Sequence, residues 1–236
     1  MNTGPLAQQI SRWQIYSDAV SLFAHARKMV ERLARDAIAA RGAFHVVLAG
    51  GGTPQPLYRQ LRTLNTDWSR WHVYFGDERC LPADDPQRNS AMASAAWLAQ
   101  VPIPPAQIHA IPVETGAPEA ARQYALALAG IDRFDLVLLG LGEDGHTASL
   151  FPGQPLGREE NGPAVLAVTA APKPPAQRVT LGAWRLSRSR AVLFLVTGAT
   201  KRPAVSAWRS GADIPARAIV PESGVDVLAD QDSCPP

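Results

Sequence analysis

This sequence has few cysteines, no large excess of positive or negative charge, and no long apolar runs. Each of these shortages excludes a class of protein. Of the 236 residues only Cys80 and Cys234 are cysteine, so neither a disulfide framework nor a paired-cysteine metal site is available. The 23 basic and 21 acidic residues leave a net charge of +2, too small to favour nucleic acid or an anionic membrane. No apolar run approaches the roughly 20 residues that span a bilayer. We therefore expect neither a nucleic-acid partner nor a membrane partner.

Targeting signals and lysine are scarce as well. The first 16 residues contain no apolar stretch of the kind that a secretory signal needs, so we expect a cytoplasmic protein. Only Lys28, Lys173 and Lys201 carry a side-chain amine. What the sequence does contain is 46% hydrophobic residues, enough for a chain of this length to bury one core. We expect a single α/β domain over residues 1–236.

Helix-like and strand-like stretches alternate along the chain. Apolar residues recur at helical spacing over residues 17–40, where Ser17 is expected to cap the start of a helix and Gly42 its end. Strand patterns are predicted at 44–49, 71–75, 108–111, 134–139, 165–169, 178–181, 192–197 and 225–228. Further helices are predicted at 54–61, 90–98, 118–129 and 200–209. This alternation predicts a mostly parallel sheet with helices on both faces.

The first candidate site is the loop Gly-Gly-Gly-Thr-Pro at residues 50–54, because ligands of parallel sheets bind where strands end and helices begin. Glycines such as Gly51 and Gly52 let the backbone approach a ligand closely, and the start of the next helix presents free N–H groups. This combination suits a phosphate. The alternative interpretation is a tight turn in which Thr53 is a simple helix cap.

Three adjacent charges, Asp77, Glu78 and Arg79, follow the next predicted strand. Charges at the end of a strand are costly unless they are solvated or paired with one another. We expect a loop here, which is either an exposed surface segment or part of a site.

The third candidate site is the segment Gly-Leu-Gly-Glu-Asp-Gly-His at residues 140–146, which follows the strongest strand signal. Its glycines spell the dinucleotide fingerprint GxGxxG, but Glu143 and Asp144 would place negative charge where a pyrophosphate should lie. We interpret the segment as a turn that presents the imidazole of His146, with Asp144 two residues earlier. Imidazole is the side chain best suited to proton transfer at neutral pH. The other histidines are expected to be structural: His25, His45, His72 and His109.

Two cations complete the set of candidate residues. Arg178 begins a predicted strand after a proline-rich loop, and Lys201 lies near the start of a predicted helix. Either side chain can bind a phosphate through charge-assisted hydrogen bonds or remain a solvated surface charge.

The order of these segments resembles the 6-phosphogluconolactonase family, the lactonases of the oxidative pentose phosphate pathway. AGGGTP, FGDERCLPADDPQRN, LGLGEDGHTASLFPG, RVTLG and VTGATK follow one another between residues 48 and 201. The resemblance implies a modified Rossmann-like fold shared with glucosamine-6-phosphate deaminases and ribose-5-phosphate isomerases. It also implies hydrolysis of 6-phosphogluconolactone. That chemistry needs no cofactor and no metal, so a small-molecule substrate is the expected partner.

The resemblance implies a role for particular residues. His146 would be the general base, and Arg79 would lie near the reacting carboxyl carbon. The substrate phosphate would be held by Gly51, Gly52, Thr53, Arg178 and Lys201. The sequence departs from the family pattern at Gly52 and Arg88, where many relatives have serine.

The chemistry of lactone hydrolysis adds expectations for the neighbouring residues. Asp144 is expected to orient the imidazole, and Arg79 or loop N–H groups to stabilise the oxyanion. Asp77 and Glu78 are expected to position Arg79 or to contact sugar hydroxyls.

Two other functions stay open. A glucosamine-6-phosphate deaminase or isomerase needs a carboxylate base, and in those enzymes the histidine loop continues into Asn-Glu-Pro; here no glutamate follows before Glu159. A non-catalytic phosphosugar-binding protein would keep the phosphate loop without His146 and Arg79. The chain is expected to be a monomer or a small homo-oligomer.

Overall fold

Ten strands and six α-helices alternate in the computed structural model, which describes residues 8–160 and 162–235. The strands are β1 (Ser11–Tyr16), β2 (Phe44–Leu48), β3 (Trp71–Phe75), β4 (Asp77–Arg79), β5 (Ile108–His109), β6 (Leu136–Gly140), β7 (Val165–Val168), β8 (Arg178–Leu181), β9 (Val192–Val196) and β10 (Val225–Asp230). The α-helices are α1 (Ala19–Arg41), α2 (Gln55–Leu61), α3 (Asn89–Ala96), α4 (Ala117–Ala127), α5 (Ala183–Ser187) and α6 (Arg202–Arg209). Short 3₁₀ helices are Trp68–Arg70, Leu98–Gln100, Pro105–Gln107, Val113–Thr115, Ala199–Lys201, Pro215–Ala218 and Gln231–Ser233.

Seven of the strands form one parallel sheet in the order β1-β10-β9-β6-β2-β3-β5. All five residues of β9 are buried, so both faces of the sheet are covered at its centre. The predicted α/β class with a mostly parallel sheet is therefore confirmed. From β2 the chain moves to β3 and β5 on one side, whereas from β6 it moves to β9 and β10 on the other. A crevice is expected at this reversal, outside the carboxyl ends of β2 and β6.

A second, antiparallel sheet of three short strands, β4-β8-β7, lies beside the first. The expectation that Asp77, Glu78 and Arg79 form a loop is wrong, because these residues are β4 and pair with β8. Arg79 lies opposite Arg178, and Asp77 lies opposite Thr180. Three charged residues carry no apolar alternation, so only the pairing with a segment about 100 residues away makes them a strand.

Both ends of helix α1 have an identifiable capping residue. Asp18, rather than Ser17, is the N-cap, and its carboxylate accepts a hydrogen bond from the N–H of Ser21 at 2.7 Å. Gly42 ends the helix in the left-handed conformation, at φ 79°, as predicted. Strand β1 was not predicted, because its polar edge-strand sequence lacks the apolar run seen in the central strands.

No helix in the described part of the chain has both the length and the apolar character needed to cross a membrane. Two expectations, that the chain has no secretory signal and that residues 1–236 form one domain, include residues 1–7. Those residues lie outside the described part of the chain.

Candidate active site

A cavity of about 200 Å³ opens at the carboxyl ends of β2, β3 and β6, where the order of the sheet reverses. Eight of the ten predicted site residues line it. They are Gly51, Gly52, Thr53, Asp77, Arg79, His146, Arg178 and Lys201. Asp144 lies behind the imidazole of His146, and Glu78 points elsewhere. Residues that the sequence did not indicate also line the cavity: Asn89, Gly142, Thr147 and Lys173.

The three glycines of the loop that follows β2 differ in their surroundings and in their backbone conformation. A Cβ atom at Gly50 would lie 2.1 Å from Oδ1 of Asn89, so only glycine fits beside that amide. Gly51 has φ 82°, which favours glycine, whereas a Cβ at Gly52 would meet open space. Pro54, not Thr53, occupies the N-cap position of α2, so the interpretation of Thr53 as the cap of that helix is wrong.

The imidazole of His146 is held by a carboxylate on one side and by ring packing on the other. Its Nδ1 forms a hydrogen bond with the carboxylate of Asp144, and its ring lies 4.8 Å from that of Phe151. A Cβ at Gly142 would lie 1.9 Å from Nδ1, so this glycine makes room for the ring. Asp144 engages Nδ1, whereas Nε2 has no hydrogen-bond partner among the described residues. An imidazole held at one nitrogen and unpartnered at the other can accept a proton through Nε2.

The carboxylate of Asp144 is partly buried, and burial raises its pKa. The hydrogen bond to His146 and the charge of that ring outweigh burial, so the pKa of Asp144 lies below its ordinary value. Asp144 is therefore ionised at neutral pH.

Two arginines lie directly opposite each other on the cavity side of the small sheet. Cross-strand partners point to the same face, so Arg79 and Arg178 bring two guanidinium groups together, a costly arrangement of like charges. Arg79 donates from one terminal nitrogen to the carbonyl of Gln87 at 3.0 Å, while its buried Nε has no partner among the described residues. A buried donor without a partner carries a desolvation cost that a water or ligand oxygen would remove.

Asp77 lies on the same face as the arginines and is almost fully buried. Ser149 Oγ donates to its Oδ2 at 2.6 Å, and Asn89 Nδ2 donates to its Oδ1 at 3.0 Å. Burial raises the pKa of Asp77, although Ser149 and Arg178 act in the opposite direction. Burial also lowers the pKa of Arg178, and Asp77 offsets part of that shift. Asn89, absent from the sequence prediction, thus connects the glycine loop to Asp77.

Glu78 does not line the cavity, so the expectation that it contacts sugar hydroxyls has no support in the structure. Side chains alternate along a strand, and Glu78 points away from the face that holds Asp77 and Arg79. Its carboxylate accepts from the N–H groups of Arg79, Asn89 and Ser90 at 2.7–2.8 Å. Glu78 therefore holds the backbone of Arg79 and the start of α3 in place. Of the two roles expected for Glu78, this corresponds to the positioning of Arg79.

The departure at Arg88 is explained by the same buried carboxylate. Nε of Arg88 lies 3.7 Å from Glu78, and its guanidinium also pairs with Glu114. Arg88 is thus a structural cation beneath the site rather than a cavity residue.

Lys201 and Lys173 bring two amines to the cavity. Lys201 ends the 3₁₀ helix that follows β9 and is half-buried. Burial lowers its pKa; Glu143 and Asp144 raise it, and the nearby charge of Lys173 lowers it. No group of three or more histidine, cysteine, aspartate or glutamate side chains able to hold a metal occurs within residues 8–160 and 162–235.

Comparison with known proteins identifies the family of the chain. A family model described as glucosamine-6-phosphate isomerases/6-phosphogluconolactonase matches residues 17–228. The 6-phosphogluconolactonase of Synechocystis sp. is 41% identical over 208 residues, covering 83% of this chain and 85% of that protein. The 6-phosphogluconolactonase of Mycobacterium tuberculosis is 38% identical over 237 residues, covering 93% and 96%.

The fold agrees with that of solved relatives as well. The structure of 6-phosphogluconolactonase from Trypanosoma brucei superimposes with a TM-score of 0.86 at 27% identity, covering 95% of this chain and 98% of that one. The match covers nearly the whole of both chains. The chain therefore belongs to the glucosamine-6-phosphate isomerase/6-phosphogluconolactonase family.

Proposed function

We propose that this chain hydrolyses 6-phospho-D-glucono-1,5-lactone to 6-phospho-D-gluconate, with His146 as the general base and without a cofactor. One observation carries the proposal: the Asp144-supported imidazole lines the same cavity as Arg79, Arg178 and Lys201. A proton acceptor and a set of cations in a space of about 200 Å³ suit a small anionic ester. The names of the relatives that are 38–41% identical support the same substrate.

Each step of lactone hydrolysis can be assigned to a side chain of the site. Nε2 of His146 removes a proton from water as the water oxygen bonds to the lactone carbonyl carbon, and the carbonyl electron pair moves onto its oxygen. The guanidinium of Arg79, with its unpartnered Nε, stabilises that oxyanion. When the carbonyl reforms, the bond to the ring oxygen breaks, and that oxygen takes the proton from the His146 imidazolium. Asp144 stabilises the imidazolium in between.

The structure gives little support to deamination of glucosamine 6-phosphate. That reaction needs a carboxylate free to abstract a proton from carbon, whereas both carboxylate oxygens of Asp77 already accept hydrogen bonds from Ser149 and Asn89. The histidine loop continues through Thr147 to Phe151 without an acidic residue.

The test is to generate 6-phosphoglucono-1,5-lactone in situ and to follow its loss against the spontaneous rate. We expect clear acceleration, a much smaller effect on unphosphorylated gluconolactone, and no change on adding a chelator. A rate equal to the spontaneous one would overturn the proposal. Release of ammonia from glucosamine 6-phosphate without lactone cleavage would replace it with the deaminase function.

We also propose that the protein acts in the cytoplasm on a small-molecule substrate alone, as a monomer or a small homo-oligomer. The near-neutral net charge of +2 supports the absence of a nucleic-acid partner. Light scattering coupled to size-exclusion chromatography measures the assembly.

A further inference from the structure

Lys173 is a cation at the cavity to which the sequence gave no role. It lies in the proline-rich segment 171–177, between β7 and β8, which we name the proline loop. The Lys173 side chain is exposed to solvent and lines the cavity that also holds Lys201. An exposed lysine on a loop is unremarkable unless the loop itself is held in place.

The proline loop is held in place by the guanidinium of Arg178. Nε donates to the carbonyl of Pro175 at 3.1 Å, and one terminal nitrogen donates to the carbonyls of Lys173 and Pro174, both at 3.0 Å. The loop is also closed by a hydrogen bond from the N–H of Ala171 to the carbonyl of Ala176 at 2.9 Å. Arg178 is almost fully buried, so these bonds are shielded from water. Its donors are therefore largely committed to the backbone of the loop.

The charges around the cavity indicate which kind of ligand Lys173 can bind. The two amines are close enough for the charge of Lys173 to lower the pKa of Lys201. Arg79 and Arg178, opposite each other in the small sheet, add two more positive charges. The carboxylates of Asp77, Glu143 and Asp144 offset part of this concentration of charge. A doubly charged anion such as a phosphate monoester neutralises two amines at once.

We propose that Lys173 binds the substrate phosphate together with Lys201, and that Arg178 is a positioning residue that holds the proline loop over the phosphate. The proposal rests on the proposed function, in that the phosphate is that of the substrate. It assigns discrimination between phosphorylated and unphosphorylated lactones to a loop rather than to the glycine turn alone.

The first experiment measures Lys173→Gln against Lys28→Gln, a matched change at an exposed lysine of α1 outside the cavity. We expect Lys173→Gln to raise both the Kd for 6-phosphogluconate and the KM for the phosphorylated lactone about fivefold, with kcat nearly kept. The loss with unphosphorylated gluconolactone should be clearly smaller. Because Lys173 is exposed, the variant is expected to fold, which its unfolding transition checks.

The second experiment separates positioning from direct contact. Arg178→Lys keeps the positive charge but loses the planar fork whose Nε and terminal nitrogen reach the three carbonyl groups. We expect Arg178→Lys to raise KM and to make Lys173→Gln nearly silent in the double variant, because the loop no longer presents Lys173. Additive losses would show that Arg178 does not act through Lys173 and would overturn the positioning role.

The binding measurement also separates this proposal from the proposed function, because 6-phosphogluconate and inorganic phosphate bind without turnover. A wild-type protein that binds 6-phosphogluconate and loses affinity in Lys173→Gln, yet hydrolyses no lactone, supports the Lys173 site and contradicts the lactonase. An active lactonase whose affinity for phosphate and KM are the same in Lys173→Gln and Lys28→Gln contradicts the Lys173 site alone.

Discussion

Glycine residues shape this cavity by leaving room for other side chains. Gly142 leaves the space that the His146 ring fills, and Gly50 leaves the space of the Asn89 amide. A methyl group at either position would have to displace a side chain that lines the cavity. At Gly52, by contrast, a side chain would extend into open space.

Gly142→Ala is therefore expected to displace the imidazole while the protein still folds. The backbone of Gly142 does not need a positive φ, so the cost falls on the ring, and we expect kcat to fall about tenfold or more. The matched control is Gly130→Ala, where an added Cβ meets no atom within 4 Å. Steady-state kinetics and thermal unfolding of both variants check this; a fully active Gly142→Ala enzyme would show that the ring position is not critical.

Gly52→Ser tests the departure from the family pattern. Its side chain fits without a clash and adds a hydroxyl donor at the cavity, so we expect the Kd for 6-phosphogluconate to fall about two- to fivefold. Isothermal titration calorimetry measures the change. An unchanged or weaker affinity would place the phosphate away from residue 52.

At the residue scale, the sequence indicated His146 and Asp144 because a glycine-rich turn after a buried strand exposes an imidazole beside a carboxylate. Asn89 and Lys173 could not be found this way. Asn89 reaches the cavity only because β4 and α3 fold against the glycine loop, and Lys173 only because Arg178 fixes a loop that has no regular structure.

Among the elements, strand β4 decides which of three adjacent charges meet the cavity. Alternation along the strand turns Asp77 and Arg79 inward and buries Glu78 against Arg88 and the start of α3. The sequence could not show this alternation, because all three side chains are charged and the partner strand lies far along the chain.

We expect Glu78→Ala to lower the free energy of unfolding by about 3–5 kcal/mol, since it removes the buried charge partner of Arg88 and leaves three N–H groups without their acceptor. Urea unfolding measures the difference. Glu114→Ala, which removes the exposed partner of Arg88, should cost much less. Equal small losses in both variants would mean that Glu78 is not structurally important.

Strands β2, β3 and β5 carry a stack of histidines whose titration affects stability. The rings of His45 and His72 stack at 4.7 Å, and those of His72 and His109 at 5.8 Å. Burial lowers the pKa of each histidine, and their mutual repulsion lowers those of His45 and His109 further, while Asp135 partly offsets the shift at His45.

A lowered histidine pKa favours the neutral form in the folded state. The stability this provides is complete above the unfolded-state pKa of about 6.5 and is lost as the pH falls through the lower folded-state values. We expect the melting temperature to fall between pH 7 and pH 5, and to fall less in His72→Gln. Identical pH profiles of the two proteins, measured by calorimetry, would rule out the stack as the cause.

For the whole molecule, the parallel sheet determines where the site lies. The alternation of strands and helices predicted this sheet, and the reversal of strand order between β2 and β6 puts the glycine loop and the His146 loop at one crevice. The small antiparallel sheet was not predictable, because its pairing depends on contacts between distant segments. That sheet supplies Asp77, Arg79 and Arg178, three of the charged side chains that line the cavity.

The role of His146 in lactone hydrolysis is tested most simply by comparing His146→Gln with His25→Gln, a change at a histidine of α1 that does not line the cavity. We predict that His146→Gln folds and binds 6-phosphogluconate with nearly wild-type affinity, while kcat on 6-phosphoglucono-1,5-lactone falls about 100- to 10,000-fold. His25→Gln should keep its activity. A His146→Gln enzyme that turns over the lactone at the wild-type rate would show that His146 is not the general base.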